Sequence, residues 1–303
     1  MPMSLKMKMA MPRQMGKHML VVAQASELSH HVAAWHKDGL KIGLVPTMGA
    51  LHAGHLSLID HIAPHCDKVI VSVYVNPTQF TEGEDFSSYP RTLDSDLEKL
   101  QATPTALVYT PSTQDMYGDA VVADIKLEGP ALGLESEARP HFFSGVASIV
   151  SRLFDHSQAD VAVFGEKDYQ QLCVIQHLVA EQKRKIKILG APIMRETDGL
   201  AMSSRNVYLT PAQRKIAGKL NIILQNFCRA IEDKIEDNAE DINNEIAQAK
   251  AEILAAGFDG IDYLELRAAN TLAPHPAPNT TRRALVVARI GSVRLLDNME
   301  IKS

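Results

Sequence analysis

Two histidines stand three residues apart in Val45-Pro46-Thr47-Met48-Gly49-Ala50-Leu51-His52-Ala53-Gly54-His55. The apolar run Ile42–Val45 ahead of them reads as a strand, which puts the pair at a strand-to-helix turn. Such a turn brings two imidazole donors and several backbone N–H groups together at a helix start, an arrangement suited to an anion such as a nucleotide phosphate. Pro46 and Gly49 shape the loop, and Gly54 permits a close backbone approach. Imidazoles placed there donate hydrogen bonds to a triphosphate and stabilise charge as its α-phosphorus is attacked. Taken alone, an H-x-G-H is equally compatible with incidental turn and helix-start residues.

Three further clusters carry polar chemistry. Phe164-Gly165-Glu166-Lys167-Asp168-Tyr169 follows the strand-like Asp160–Val163 and falls on the same sheet edge. One reading makes it a charged turn with Asp168 as helix N-cap; the other gives Lys167 a phosphate and lets Asp168 bond a ribose or orient the lysine. Met202-Ser203-Ser204-Arg205-Asn206, after Asp198-Gly199, reads either as a solvated turn or as a mobile loop whose hydroxyls and arginine fork close over a triphosphate. Gln79, in Asn76-Pro77-Thr78-Gln79-Phe80, and Gln171 offer amides for a hydroxyl or carboxylate of a small polar acid.

The elements that position these residues come from periodicity. Strand-like runs Ile42–Val45, Val69–Val75, Ala106–Tyr109, Asp160–Phe164 and Ile186–Leu189 alternate with helical stretches near His55–His65, Thr92–Gln101, Gly145–His156 and Tyr169–Gln182. That alternation predicts an α/β fold: a right-handed, doubly wound parallel sheet of Rossmann type over residues 19–193. Beyond it, Thr210-Pro211-Ala212-Gln213 starts a helix running toward Asp233, and a second, acidic helix covers Asn238–Ala256. Strands Ile261–Arg267, Ala284–Ile290 and Val293–Leu296 follow, with a Pro-rich turn at Ala273–Asn279. Residues 194–303 therefore read as a smaller α+β domain, a lid over the first.

Composition narrows the partners. A net charge of -5 with 22% charged residues gives no global basic field for nucleic acid, and favours small-molecule ligands. No apolar run approaches the roughly 18 residues of a membrane span. Cys66, Cys173 and Cys228 lie far apart and form no C-x-x-C pair, which supports neither a metal site nor a disulfide framework and fits a reducing, cytoplasmic setting. Residues 1–18, rich in Met and Lys and lacking Asp and Glu, read as a disordered leader.

Together the motifs resemble the pantothenate synthetases, the pantoate–β-alanine ligases of the H-x-G-H nucleotidylyltransferase superfamily. Pro46 to His52, Tyr74 to Phe80, Tyr89-Pro90-Arg91-Thr92, Gly165 to Gln171, Pro192-Ile193-Met194-Arg195 and Met202 to Asn206 match in order, from about Met19 to the end. The resemblance implies a cytoplasmic, homodimeric enzyme that uses ATP and magnesium to condense (R)-pantoate with β-alanine through an enzyme-bound pantoyl adenylate, releasing AMP and pyrophosphate. It implies that His52, His55, Lys167 and Arg205 are catalytic, with His55 in the position of a proton donor. Met48, Gly49, Gly54, Gly165, Glu166, Asp168, Ile193, Met202, Ser203 and Ser204 complete the ATP site. Met48, Gln79 and Gln171, with Asn76 and Arg139 as lesser candidates, hold the acid substrates; metal ligands are not assigned. One stretch departs from the pattern. Where relatives read Arg-Pro-x-His-Phe-x-Gly-Val, this chain has Arg139-Pro140-His141-Phe142-Phe143-Ser144-Gly145-Val146, with Phe142 at the histidine position. The loop is expected to be kept with one side chain replaced, a small backbone shift being the way for His141 to compensate.

Overall fold

Six parallel strands form the main sheet in the order β1-β4-β3-β2-β5-β6, as seen in a computed structural model that describes residues 19–80, 83–118, 128–233, 239–277 and 280–301. In chain order the elements are β1 (Leu20–Val22), α1 (Ala25–Lys37), β2 (Ile42–Thr47), α2 (Ala53–Ile62), β3 (Lys68–Val73), α3 (Leu93–Gln101) and β4 (Thr105–Tyr109). Two short helices, α4 (Thr113–Tyr117) and α5 (Glu135–Ala138), lead to α6 (Phe142–Ser157), β5 (Val161–Gly165), α7 (Tyr169–Glu181) and β6 (Lys187–Ala191). The expected Rossmann-type sheet is thus present. The leader, residues 1–18, lies outside the described residues.

Strands buried on both faces need mainly apolar side chains, and the interior strands β2, β3 and β5 have them, with Ser72 of β3 a buried exception. One face packs against α1, α6 and α7 through Leu28, Val32, Phe143, Val146, Leu172 and Ile175; the other packs against α2 and α3 through Ile59, Ile62 and Leu100. Each such fully buried side chain stabilises the fold by roughly 1.5–3 kcal/mol. The chain begins the alternation earlier than its periodicity suggested. Strand β1 is only three residues long and takes its place by pairing Leu20–Val22 with Leu107–Tyr109 of β4, while α1 is closed at its start by a reciprocal Gln24/Glu27 capping box.

Strands β2 and β5 are neighbours in the sheet, yet the chain leaves β2 toward β3 and returns to β5 on the other side. This reversal opens a crevice at their carboxyl ends, the place where open α/β sheets bind ligands.

After β6 come α8 (Pro211–Ala217), α9 (Lys219–Glu232), α10 (Ala239–Ala255) and an antiparallel sheet of β7 (Gly260–Ala268), β8 (Arg282–Ile290) and β9 (Val293–Ile301). Thr210 caps α8 as its sequence predicted, with Gln213 reciprocating, but the helix expected to run on to Asp233 is interrupted at Gly218, a poor helix former. Asn238 and the last two residues of the predicted turn, Pro278 and Asn279, lie outside the described residues. Helix α9 presents Leu220, Ile223, Leu224, Phe227 and Ile231 at helical spacing to the small sheet. Cys66, Cys173 and Cys228 are all buried and in no disulfide. No helix among the described residues is long and apolar enough to cross a membrane.

Candidate active site

A cavity of about 790 Å³ lies at the carboxyl ends of β2 and β5. Its walls come from the α2 start, the turn after β3, the turn after β5, the 202–205 segment and the inner face of the small sheet. Met48, His52, Gly54, His55, Gln79, Arg139, Gly165, Lys167, Asp168, Gln171, Ile193, Met202, Ser203, Ser204 and Arg205 all line it. The structure therefore brings together residues more than 150 positions apart, some picked out by type and spacing and the others implied by the family resemblance.

The two histidines hold each other. His52 is the N-cap of α2, and its Nδ1 accepts the Gly54 N–H at 3.1 Å; His55 Nδ1 reaches back to accept the His52 N–H at 3.3 Å. Their ring centroids are 4.1 Å apart. Because both Nδ1 atoms accept, the ring proton of each neutral imidazole sits on Nε2. Burial, then the neighbouring His52 ring, and then Lys167 and Lys99 push His55 down to about 3, with Asp168 opposing. His52 is lowered too, by burial and then by Lys167 and Lys99. Both rings are thus neutral at pH 7, each offering one Nε2–H donor.

The backbone of this turn does less than its sequence suggested. The N–H of Gly49 goes to Thr47 Oγ1, those of Ala50 and Leu51 to the Asp96 carboxylate, that of His52 to His55 Nδ1, that of Gly54 to His52 Nδ1, and that of His55 to the His52 carbonyl. A phosphate at this turn meets imidazole donors rather than a cradle of those amides. Gly54 does permit a close approach, but of the His52 ring itself: an added Cβ would stand 2.9 Å from its Cε1.

At the carboxyl end of β5, Lys167 and Asp168 occupy a single 3-10 turn, with Lys167 Nζ 3.3 Å from Asp168 Oδ1. Asp168 stands at the N-cap position of α7 without a side-chain capping bond, and its carboxylate contacts Lys167 instead. Asn298 of β9, 3% exposed, ties this turn down by donating its amide to the carbonyls of Glu166 (2.8 Å) and Lys167 (3.0 Å), and its Oδ1 accepts from Arg283. Arg283 in turn lies over the Tyr169 ring at 3.7 Å.

Two of the cavity arginines, Arg139 and Arg205, are paired with carboxylates of one loop. Arg205 forks onto Asp85 with Nε and Nη2 at 3.0 and 2.8 Å, and Tyr89 meets Ser204 Oγ at 3.3 Å. Arg139 forks onto Glu84 at 2.6 and 2.7 Å, donates to the Gln79 carbonyl at 2.8 Å, and lies 3.9 Å over the Phe142 ring. Phe142 at the variant position therefore serves as a cation–π platform for Arg139. His141 is exposed, makes no capping bond to α6 and does not line the cavity, so it does not stand in for the replaced ring.

Three expected site residues lie behind the cavity wall. Gly49 supplies a turn with φ +84°. Asn76 is fully buried, its Oδ1 accepting from Tyr117 (2.7 Å) and Thr78 (3.0 Å) and its amide donating to Gly145 O, which fixes the turn that presents Gln79. Glu166 faces Arg283 at 3.7 Å. Conversely, sequence reasoning missed Asp96, Glu84, Asp85 and Asn298, whose partners lie tens of residues away.

This geometry meets the comparisons with known proteins. The family model for pantoate-beta-alanine ligase matches residues 20–300. The chain belongs to the pantoate–β-alanine ligase family. It is 47% identical over 279 residues to the pantothenate synthetase of Maricaulis maris, covering 90% of this chain and 94% of that one, and 43% identical over 281 residues to that of Mesorhizobium japonicum, covering 93% and 97%. Among solved structures, pantothenate synthetase from Thermus thermophilus is similar with a TM-score of 0.81 at 36% identity, covering 94% of this chain and all of that one. The Francisella tularensis pantoate-beta-alanine ligase, described as complexed with beta-gamma ATP and beta-alanine, is similar with a TM-score of 0.76 at 32% identity, covering 94% and 99%. The ligase fold in this chain thus extends through both sheets.

Proposed function

We propose that this ligase joins (R)-pantoate to β-alanine at the expense of ATP in two steps, with a division of labour across the cavity. A pantoate carboxylate oxygen attacks the α-phosphorus, the bond to the bridging oxygen breaks, and pyrophosphate leaves. The free amine of β-alanine then attacks the acyl carbon of the adenylate, the acyl C–O bond breaks, and AMP leaves as the new amide loses its proton. No covalent enzyme intermediate is required, so rate comes from positioning and from stabilising charge.

His52 and His55 serve the first step as neutral Nε2–H donors to the phosphate oxygens. With His55 held near a pKa of 3, its part is hydrogen-bond donation rather than delivery of a proton. Lys167 and Arg205 supply positive charge, Asp168 orients Lys167 and bonds the ribose, and Ser203 and Ser204 close on the triphosphate beside Met202 and Ile193. Gln79 and Gln171 take the hydroxyls and carboxylate of pantoate, whose dimethyl-bearing carbon suits the apolar wall of Phe143, Val146 and Val150. Arg139 belongs to this end through its hold on the Gln79 carbonyl. Residues 194–303 are the smaller domain, and the enzyme is a cytoplasmic homodimer.

Magnesium fits as the counter-ion of ATP. Among the described residues no group of three or more His, Cys, Asp or Glu could hold a metal, and the cavity carboxylates Glu84, Asp85, Glu135 and Asp297 pair with Arg139, Arg205, Arg294 and Arg195. A magnesium ion bound mainly through phosphates and water needs no protein cage. The observation that carries the reading is the convergence of two imidazole donors, Lys167, Arg205 and two glutamine amides on one cavity. A steady-state assay tests it: AMP release requires pantoate and β-alanine together. Release of pyrophosphate with a stable adenylylated product, indifferent to β-alanine, contradicts it.

A further inference from the structure

The turn that carries the histidines has an unusual backbone. Gly49 and Ala50 are consecutive residues with positive φ, +84° and +50°, and for alanine the left-handed region costs about 1–2 kcal/mol. Something must hold it there. The successive N–H groups of Ala50 and Leu51 both point onto one side chain: Asp96 Oδ2 accepts the first at 2.9 Å, and Oδ1 accepts the second at 2.8 Å. Paired N–H groups of this kind make an anion-binding concavity, and here the anion is the protein's own carboxylate.

Asp96 comes from α3 and is wholly buried. A buried carboxylate needs a counter-charge and full hydrogen bonding. Lys99, one helical turn on, lies 3.6 Å from Oδ1, and Thr92 Oγ1 donates to Oδ2 at 3.2 Å. The same Lys99 donates to the Leu51 carbonyl at 2.8 Å. Leu51 is thus held at both its N–H and its C=O by α3, and the next residue is His52.

We propose that Asp96, supported by Lys99, is a positioning residue for adenylate formation: it sets the Gly49–Leu51 turn and so places the His52/His55 donor pair against the nucleotide. This rests on the ligase reading above. Asparagine at 96 keeps the shape but has one acceptor, and turns its NH₂ toward one of the two amides. The expected result for Asp96→Asn, measured by pantoate-dependent exchange of pyrophosphate into ATP, is a fall in kcat of about 10–100-fold, the scale set by misplacing a catalytic group by about 1 Å, with the KM for pantoate changed less than about threefold.

The pH profile separates positioning from general weakening. His55 is faced by His52, Asp168, Lys167 and Lys99. Loosening the turn frees it toward its ordinary value of 6.5, so the variant gains an acid limb near pH 6 that the wild type lacks. Wild-type kcat in a folded Asp96→Asn, or a loss of kcat that follows a fall in Tm with the pH profile unchanged, overturns the proposal. Should Asp96→Asn fail to fold, Lys99→Met is measured instead. It is expected to show a smaller loss with the same acid limb, and wild-type kinetics there would count equally against the role. Failure of the wild-type enzyme to release β-alanine-dependent AMP would instead remove the ligase reading itself.

Discussion

The two walls of the cavity hold their polar groups in different ways. On the histidine wall, His52, His55 and the Lys167 turn are fixed by bonds to buried partners: the reciprocal imidazole caps, Asp96 beneath the turn, and Asn298 under Lys167. On the arginine wall, Arg139 and Arg205 carry their charge openly but spend it on Glu84 and Asp85, consecutive residues of one loop, and these pairs are partly exposed. The first wall offers, beside Lys167, two imidazole donors that are neutral and already placed. The second offers cations that a substrate must take over from a carboxylate. Preorganised donors contribute where charge develops, whereas an exchangeable ion pair tunes how readily the anion enters.

The contrast breaks most sharply at His55. His55→Ala is expected to slow adenylate formation by about 10²-fold or more, the scale for removing one charge-stabilising donor; near-normal single-turnover rates would dismiss the histidine wall as the seat of the first step. The arginine wall predicts a smaller effect of opposite sign. Burial pushes the Asp85 carboxyl up, but the Arg205 guanidinium outweighs it and leaves it below the usual carboxylate range. Asp85→Asn weakens that competing pair, worth up to about 1 kcal/mol, so the KM for ATP should fall by roughly two- to fivefold. A rise in KM would mean that the carboxylate is needed in the bound state.

The same contrast explains what was legible in the sequence. His52, His55, Lys167 and Arg205 sit in short motifs at the ends of strands or beside glycine turns, so local pattern and strand order suffice to place them on one edge. Asp96 looks like any acidic residue in the first turn of a helix, and Asn298 like any polar residue of an amphipathic strand; their partners are 45 and 131 residues away. Glu84 and Asp85 belong to no motif, and their partners Arg139 and Arg205 lie 55 and 120 residues away. Asn76 and Glu166 failed in the reverse sense: motif neighbours of true cavity residues, they turn into the protein to hold the loops that present Gln79 and Lys167. In the fold, β1 was too short to show a period, and Arg282-Arg283 did not read as strand because both residues are charged, yet both are buried in β8.

The histidine pair works as two neutral, Nε2-protonated donors locked by reciprocal capping. Nitrogen-detected NMR of the imidazole rings in the unliganded enzyme tests it directly, with His55→Gln and His52→Gln used for assignment. His55 is expected to show an unprotonated Nδ1 and a protonated Nε2 at every pH from 8 to 5. An imidazole at position 55 that takes up its second proton near pH 6.5, or that carries its proton on Nδ1, would contradict it.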